Sequence, residues 1–397
     1  MIAAPGVSTI RAPLRIVHCF RNPVGGLFRH VRDLCNEQSA AGHQVGVICD
    51  STTGGAFEDA MFAELEPALS LGLVRLPMHR QIAFSDIAAA RRVLSTVGPM
   101  EPDIIHGHGA KGGAYARWAG TRLGRRGRRP GRIYTPHGGS LHYDARRLKY
   151  RAFFAVERWL GRMTDAAIFV SQYEADAYAA KVGAPRFRSE VVANGLRSAE
   201  FEQVAPNGDA SDFLYIGMLR DLKGPDVLIE ALALLRNWGT KASARIYGAG
   251  DDGNHYKALV EERALTEVVS FHDPAPARTA FRTGKVLVIP SRAESMPYIV
   301  LEAAAASVPL IATSVGGIPE IFGAEAGRLV PPGDANALAN AMEASLGDPA
   351  GAKHDAAALR EIVASAHSAS TMAAAIEAVY RRALHPGPRS MPTDTQT

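Results

Sequence analysis

Residues 291–303 read Ser291-Arg292-Ala293-Glu294-Ser295-Met296-Pro297-Tyr298-Ile299-Val300-Leu301-Glu302-Ala303, directly after the short apolar run Val286-Leu287-Val288-Ile289. A run of β-branched and apolar residues ended by Pro290 predicts a strand buried on both faces. Pro297 suits the opening of a helix, and residues 298–306 are helical in composition and almost wholly apolar. Strand, short loop and buried helix form the repeating unit of a parallel sheet covered by helices. Glu294 falls in the loop beyond the carboxyl end of the strand, where such sheets hold ligands. Glu302 lies between Leu301 and a run of alanines, so its carboxylate needs donors; a ribose diol would supply two, and a capping group or water is the bland alternative.

The same alternation extends along the whole chain. Residues 14–20, 44–49, 103–106, 132–135, 166–170 and 190–193 read as strands of a first sheet, and 213–216, 244–247, 286–289 and 310–313 as strands of a second. Between them, residues 196–211 contain Pro206, Asn207 and Gly208 with little periodicity and read as a linker. The expected organisation is a disordered N-terminus over 1–13, a doubly wound domain over 14–200, a linker over 201–211 and a second doubly wound domain over 212–366. A helix over 367–384 follows, able to pack on either domain, and then a Pro-rich disordered tail over 385–397. Two facing domains of this kind make their shared cleft the default site.

Composition narrows the function classes. The chain has 397 residues, 47% apolar and 21% charged, which excludes disorder and a collagen-like or disulfide-built scaffold. Cys19, Cys35 and Cys49 make an odd set without C-x-x-C spacing, so a Cys-based zinc site is not expected and a reducing cytoplasm fits. No secretory signal is seen at the start, and the longest uncharged stretch, 303–319, is broken by Pro309 and Gly316-Gly317 and cannot span a membrane. The net charge of +4 hides an uneven distribution: residues 121–151 carry +9, which leaves −5 for the remainder.

Three further segments sit where strands end. Gly25-Gly26 lies between the first strand and a helical run, a place for backbone N–H groups to meet an anion or simply for a tight turn. Arg220 and Lys223, three residues apart in the loop after 213–216, are placed to hold a phosphate or diphosphate at a helix start, with solvated surface charges as the alternative. His106 and His108 follow the strand at 103–106; without acidic neighbours they fall short of the three or four donors of a metal site, and no metal is expected. The missing G-x-G-x-x-G argues against a nicotinamide-dependent dehydrogenase. A noncatalytic polyanion binder remains an alternative, but nucleic acid is not an expected partner, because no aromatics interleave the basic run at 124–132.

In this order the segments resemble the retaining glycosyltransferases of family 4, whose hallmark is E-x7-E, here Glu294 and Glu302. The resemblance extends through Gly42-His43-Gln44-Val45, Tyr134-Thr135-Pro136-His137-Gly138, Val192-Ala193-Asn194-Gly195 and Tyr247-Gly248-Ala249-Gly250. It continues through Ala312-Thr313-Ser314-Val315-Gly316-Gly317-Ile318-Pro319-Glu320 and Gly327-Arg328-Leu329-Val330-Pro331-Pro332-Gly333-Asp334, and so covers about 14–384. It implies a GT-B fold: two Rossmann-like α/β domains facing a cleft, the first for the acceptor and the second for a nucleotide sugar. It also implies that Glu302 holds the ribose and Glu294 the donor sugar, that Arg220 and Lys223 neutralise the diphosphate, and that His137 lies beside the transferring sugar. Gly25, Gly26, Gly250, Tyr298 and Ile299 would complete the donor site. Two positions depart from the family pattern: Met218 stands where an Arg is common, and Ser295 where Gly is more frequent.

The implied reaction is retaining transfer of a hexosyl group to a saccharide or lipid-linked acceptor, without metal or other cofactor, in cell-surface polysaccharide or lipopolysaccharide synthesis. A GT-B sugar phosphorylase or nucleotide-sugar epimerase is the competing expectation. The basic segment, with Arg125, Arg126, Arg128, Arg129, Arg146, Arg147 and Lys149 beside Phe153, Phe154 and Trp159, suits an acceptor or an anionic membrane surface, and the alternative is a solvated loop and a helix with its aromatics in the core. The expected location is cytoplasmic, peripheral on the inner membrane face if that surface binds.

Overall fold

The structure, a computed structural model, describes residues 12–385 apart from 82, 126, 128 and 145, and at 140 and 149 it describes the backbone only. The expected disorder at 1–11 and 386–397 lies outside the described residues, as do Arg126 and Arg128 and the side chain of Lys149.

The first half runs β1 (Arg15–Phe20), α1 (Gly25–Ala40), β2 (Gln44–Asp50), α2 (Ala56–Leu65), β3 (Gly72–Leu76), α3 (Ser85–Val97), β4 (Ile104–His108) and α4 (Gly109–Gly124). It continues with β5 (Gly131–Thr135), α5 (Leu148–Leu160), β6 (Ala166–Phe169), α6 (Gln172–Lys181) and β7 (Arg188–Val191). The second half runs β8 (Ser211–Ile216), α7 (Pro225–Asn237), β9 (Ala244–Tyr247), α8 (Gly253–Glu262), β10 (Val269–His272), α9 (Ala277–Phe281), β11 (Gly284–Ile289) and α10 (Tyr298–Ala305). It ends with β12 (Leu310–Ala312), α11 (Ile318–Phe322), α12 (Ala335–Gly347), α13 (Pro349–Ala366) and α14 (Ala369–Leu384).

All strands pair in parallel. The first sheet has the order β3-β2-β1-β4-β5-β6-β7 and the second β10-β9-β8-β11-β12. In each sheet the order turns outward in both directions from its first strand, so the switch points lie beside β1 and β4 and beside β8 and β11. Crevices open there at the carboxyl ends of the strands. Gly25-Gly26 follows β1, His108 ends β4, Arg220 and Lys223 follow β8, and Glu294 follows β11.

Every strand read from the sequence has its counterpart, and two were not read. β3 is partly exposed along its length, and β10 has an exposed Ser270; both are edge strands. Arg75 inside β3, and Ser270 and His272 inside β10, interrupt the apolar run that marks most of the other strands. The 201–211 stretch packs on the second domain: Val204 is buried, its N–H bonds to Ala306 O at 3.0 Å, and Ser211 already opens β8. The chain passes between the domains near Leu196 and again near Ser368. The two passes are stitched by Leu196 N to His367 O at 2.9 Å and Ala369 N to Leu196 O at 2.8 Å. Helix α13 sets Leu359 and Val363 into the second core, whereas α14 crosses back and buries Met372, Ile376, Val379 and Tyr380 against Ile16, Ile104 and Ile133 of the first. Sequence alone left that choice open.

Candidate active site

The second-domain half of the cleft is built by two loops that zip together. Arg292 N–H donates to Leu222 O at 2.9 Å, and Gly224, at φ +66°, lies so close to Pro290 that a Cβ would stand 2.1 Å from its carbonyl oxygen. Only glycine permits this approach. The contact brings Lys223 to Glu294: its ammonium donates to Glu294 Oε1 at 2.6 Å, and Ser291 Oγ donates to the same oxygen at 2.7 Å. Glu294 is buried, with 6% of its surface exposed. Beneath it, a Cβ on Gly316 would come within 1.8 Å of Glu294 O, and Gly317 N–H donates to Ser295 O at 2.7 Å, so the glycine pair holds the glutamate loop from below.

Arg220 stands on the same loop, half-buried, and its side chain makes no hydrogen bond or ion pair among the described residues. Arg292 in contrast is bound by Asp226. Of the two cations on this loop, Lys223 is paired to an acid, and the Arg220 side chain has no partner among the described residues. Met218, in the position of the family Arg, is 39% exposed, and only its carbonyl is engaged, by Tyr215 OH at 3.0 Å. Beside Leu219, a cavity of about 460 Å3 opens among Gly248, Gly250, Asn254, Lys257, Phe271 and His272, at the carboxyl ends of β9 and β10.

Glu302 has a protein partner. Arg29 of α1 reaches across the cleft and donates to Glu302 Oε1, to Glu200 and to Asp33, and its guanidinium lies 5.3 Å from the centre of the Tyr298 ring. Burial pushes the Glu302 carboxyl above its ordinary range, and Arg29 opposes that. Tyr298 is buried, with its hydroxyl 3.3 Å from His30 Nδ1, so it joins α10 to α1 and does not line an open donor pocket; Ile299 is partly buried beside it. Gly26, at the start of α1, faces the same ring at 3.7 Å for a Cβ placed on it. A second cross-domain contact is made by Glu320 of α11, whose carboxylate accepts from the first two N–H groups of α6, Gln172 and Tyr173, at 2.8 Å each.

The first-domain half is a cluster of imidazoles. His18 of β1, His106 and His108 of β4, His30 of α1 and His137 after β5 lie in one cluster, with the His106 and His108 centroids 3.9 Å apart. His108 Nδ1 and His137 Nε2 are 3.0 Å apart, and His18 Nδ1 and His108 Nε2 are 2.9 Å apart. Burial holds His18 and His30 at about 4, and His106, His108 and His137 also fall well below their ordinary value, so all are neutral at pH 7. His137 sits at φ +52°, and the following Gly138 N–H is taken by the buried Glu174, which also accepts from Val170 N–H at 2.9 Å. Burial raises Glu174 to about 7 against these donors.

The structure thus brings Glu294, Lys223, Arg220, Glu302, Gly25, Gly26, Gly250, Tyr298, Ile299 and His137 to one cleft. The argument that the His106 and His108 pair is too few for a metal does not survive folding, since His18, His30 and His137 join it. Arg29, His18, His30, Glu174 and Asn194 were missed. His18 had a readable signal, an imidazole inside an apolar strand; it pairs in register with His106. Asn194 had one in the Val192-Ala193-Asn194-Gly195 motif, whereas Arg29 had none without its distant partners.

The basic side chains of residues 121–151 make none of these cleft contacts among the described residues. Arg129 and Arg132 bind Asp165, at 2.6 and 2.8 Å, and Arg132 is buried. Arg125, Arg146 and Arg147 are exposed. Helix α5 is anchored by a bidentate pair of the buried Arg117 with Glu157 at 2.6 and 3.1 Å and buries Phe154, yet it turns Leu148, Val156 and Trp159 outward at 77%, 53% and 52% exposure. Among the described residues no helix is long and apolar enough to cross a membrane.

Comparison with known proteins agrees with this fold. The Glycosyltransferase Family 4 profile matches residues 24–200, and the Glycosyl transferases group 1 profile matches residues 210–348. The chain is 28% identical to a glycogen synthase of Mycobacterium tuberculosis over 386 residues, covering 90% of this chain and 91% of that one. Its fold matches a sucrose-phosphate synthase from Thermosynechococcus elongatus at a TM-score of 0.75 and 23% identity, covering 94% of this chain and 100% of that one. It also matches Anabaena HepE in complex with UDP-glucose at a TM-score of 0.75 and 17% identity, over 92% and 99% of the two chains. Two parallel α/β domains on the GT-B plan, carrying a family 4 domain followed by a group 1 domain, make this chain a member of the glycosyltransferases.

Proposed function

We propose that the protein is a retaining hexosyltransferase that moves a sugar from a nucleotide-diphosphate donor to a saccharide or lipid-linked acceptor in surface polysaccharide or lipopolysaccharide synthesis. The observation that carries this reading is the Arg220 side chain, without a partner among the described residues, beside the Lys223–Glu294 pair at the switch point of the second sheet. In it the diphosphate lies against Arg220 and Lys223, the base enters the cavity lined by Gly250 and Phe271, and the ribose meets Glu302 through Oε2, since Oε1 is held by Arg29. The donor bound by HepE is UDP-glucose, which supports a nucleotide sugar as the ligand class.

In the proposed reaction the anomeric C–O bond breaks and its electron pair goes to the diphosphate, where Arg220, Lys223 and the start of α7 stabilise the new charge. The acceptor oxygen bonds to the anomeric carbon from the same face, and its proton passes to the leaving phosphate oxygen. Glu294 positions the sugar and His137 hydrogen-bonds to it; the diphosphate charge is met by side chains without a metal ion. Thermal-shift titration with UDP, GDP and ADP, followed by NMR of the anomeric product, tests the reading. One nucleoside diphosphate is expected to stabilise the protein, by about 2.7 kcal/mol at a hundred times its dissociation constant. No shift with any of the three, or an inverted product, overturns it.

A second feature favours a lipid-linked acceptor. The outward Leu148, Val156 and Trp159 of α5 lie on one helical face with Arg151, next to the exposed Arg147. Apolar side chains among cations suit an anionic membrane surface.

A further inference from the structure

We propose that His30, His108 and His137 form a binding site for a zinc-class divalent ion, open to the inter-domain cleft, whose occupation switches the transferase off. One nitrogen from each ring lies within 4.8 Å of one from each of the others. The hydrogen bonds around them settle which nitrogens are bare. Asn194 Nδ2 donates to Met296 O at 2.8 Å, so its Oδ1 must accept the Nδ1–H of His30 at 3.0 Å. His30 Nε2 then carries a lone pair, and it is buried without a partner among the described residues, in a side chain with 0% exposure. A buried lone pair left unused is costly and points to a ligand.

The second nitrogen is fixed through a longer chain. Gln38 Nε2 lies 3.3 Å from Tyr380 OH and Gln38 Oε1 2.8 Å from His18 Nε2, an amide orientation in which Oε1 accepts the His18 Nε2–H. His18 Nδ1 is therefore an acceptor and takes His108 Nε2–H, which leaves His108 Nδ1 bare. In the ion-free protein it accepts from His137 Nε2–H at 3.0 Å. Moving that hydrogen to His137 Nδ1 keeps the imidazole neutral, releases no proton and turns three nitrogen lone pairs toward one ion. Asn194 behind His30, and His18 with Gln38 behind His108, hold the ligands as the outer shell of a metal site does.

Three protein ligands with an open fourth position fit a tetrahedral ion, and His137, the least buried of the three, faces the cleft from which the ion would enter. A donor set of imidazoles alone selects zinc, cobalt, nickel or copper over magnesium and calcium. The second histidine triple, His18, His106 and His108, is a poorer candidate. Both His106 nitrogens are engaged, by Tyr380 OH at 2.7 Å and Thr135 Oγ1 at 2.8 Å, and His18 and His108 bind each other. Switching off follows because the ion takes His137, and that consequence rests on the proposed role of His137 at the sugar; the binding itself does not.

The test is titration of the full chain with Co2+, read by visible ligand-field absorption and by calorimetry. One equivalent with the intense bands of a four-coordinate ion is expected, displaced by Zn2+, with at least tenfold weaker binding in His30→Gln. Zinc-edge absorption spectroscopy on the wild-type protein covers the case in which that variant does not fold, and three imidazoles per ion are expected. No binding, an oxygen-dominated or thiolate shell, or unchanged affinity in folded His30→Gln overturns the site. Transfer assays then read the consequence: stoichiometric Zn2+ should lower turnover at least tenfold and a chelator restore it, while Mg2+ does neither. Bound Co2+ with undiminished turnover would overturn the switch.

Discussion

Lys223 and Glu294 neutralise each other across two loops, so each can be removed with a distinct result. Lys223 is partly exposed and supports no core, and Lys223→Ala should leave the fold intact while turnover falls at least a hundredfold, about 2.7 kcal/mol of transition-state stabilisation. Single-turnover rates with the bound donor check this, and near-normal rates would remove Lys223 from the diphosphate. Glu294, Arg220 and Lys223 were legible because their places depend on local order: each follows a strand and precedes a helix. The partner of Glu302 was not, since Arg29 lies 273 residues away in sequence, and a buried carboxylate shows only that it needs a donor, not which one.

At the scale of elements, α5 carries the clearest expectation. Its outward Leu148, Val156 and Trp159, with Arg147 and Arg151 alongside, should bring the protein to anionic vesicles in flotation, and salt should release it. Trp159→Ala combined with Leu148→Ser should at least halve the floated fraction with turnover on a soluble acceptor unchanged. Equal flotation with neutral vesicles would reject the charge contribution. Most strands were readable as short apolar runs, whereas β3 and β10 were not, because Arg75 in the one and Ser270 and His272 in the other break the run. Helix α14 was readable as a helix but not as a neighbour: Met372, Ile376, Val379 and Tyr380 form an apolar stripe that would suit either sheet.

For the whole molecule, the neutral imidazoles couple folding to pH. His18 and His30 lie at about 4 in the folded chain against 6.5 unfolded, and His106, His108 and His137 are lowered as well. Their stabilisation is complete above pH 6.5 and is lost as pH falls toward 4, about 1.4 kcal/mol per pH unit for each histidine that titrates only on unfolding. Glu174, raised to about 7, and the raised Asp33 and Glu302 act in the opposite direction but are fewer. Urea unfolding at pH 7, 6 and 5 should show a falling free energy with net proton uptake, and a flat profile would contradict the neutral cluster. By itself the sequence determined the two doubly wound domains and most of the residues that line the second-domain half of the cleft, because strand periodicity and loop position are local properties of the chain. Only the tertiary structure decided that Arg29 meets Glu302, that Glu320 caps α6, that α14 returns to the first domain and that five histidines converge. Each of these joins residues far apart in the chain, and burial makes such a pairing necessary without naming the partner.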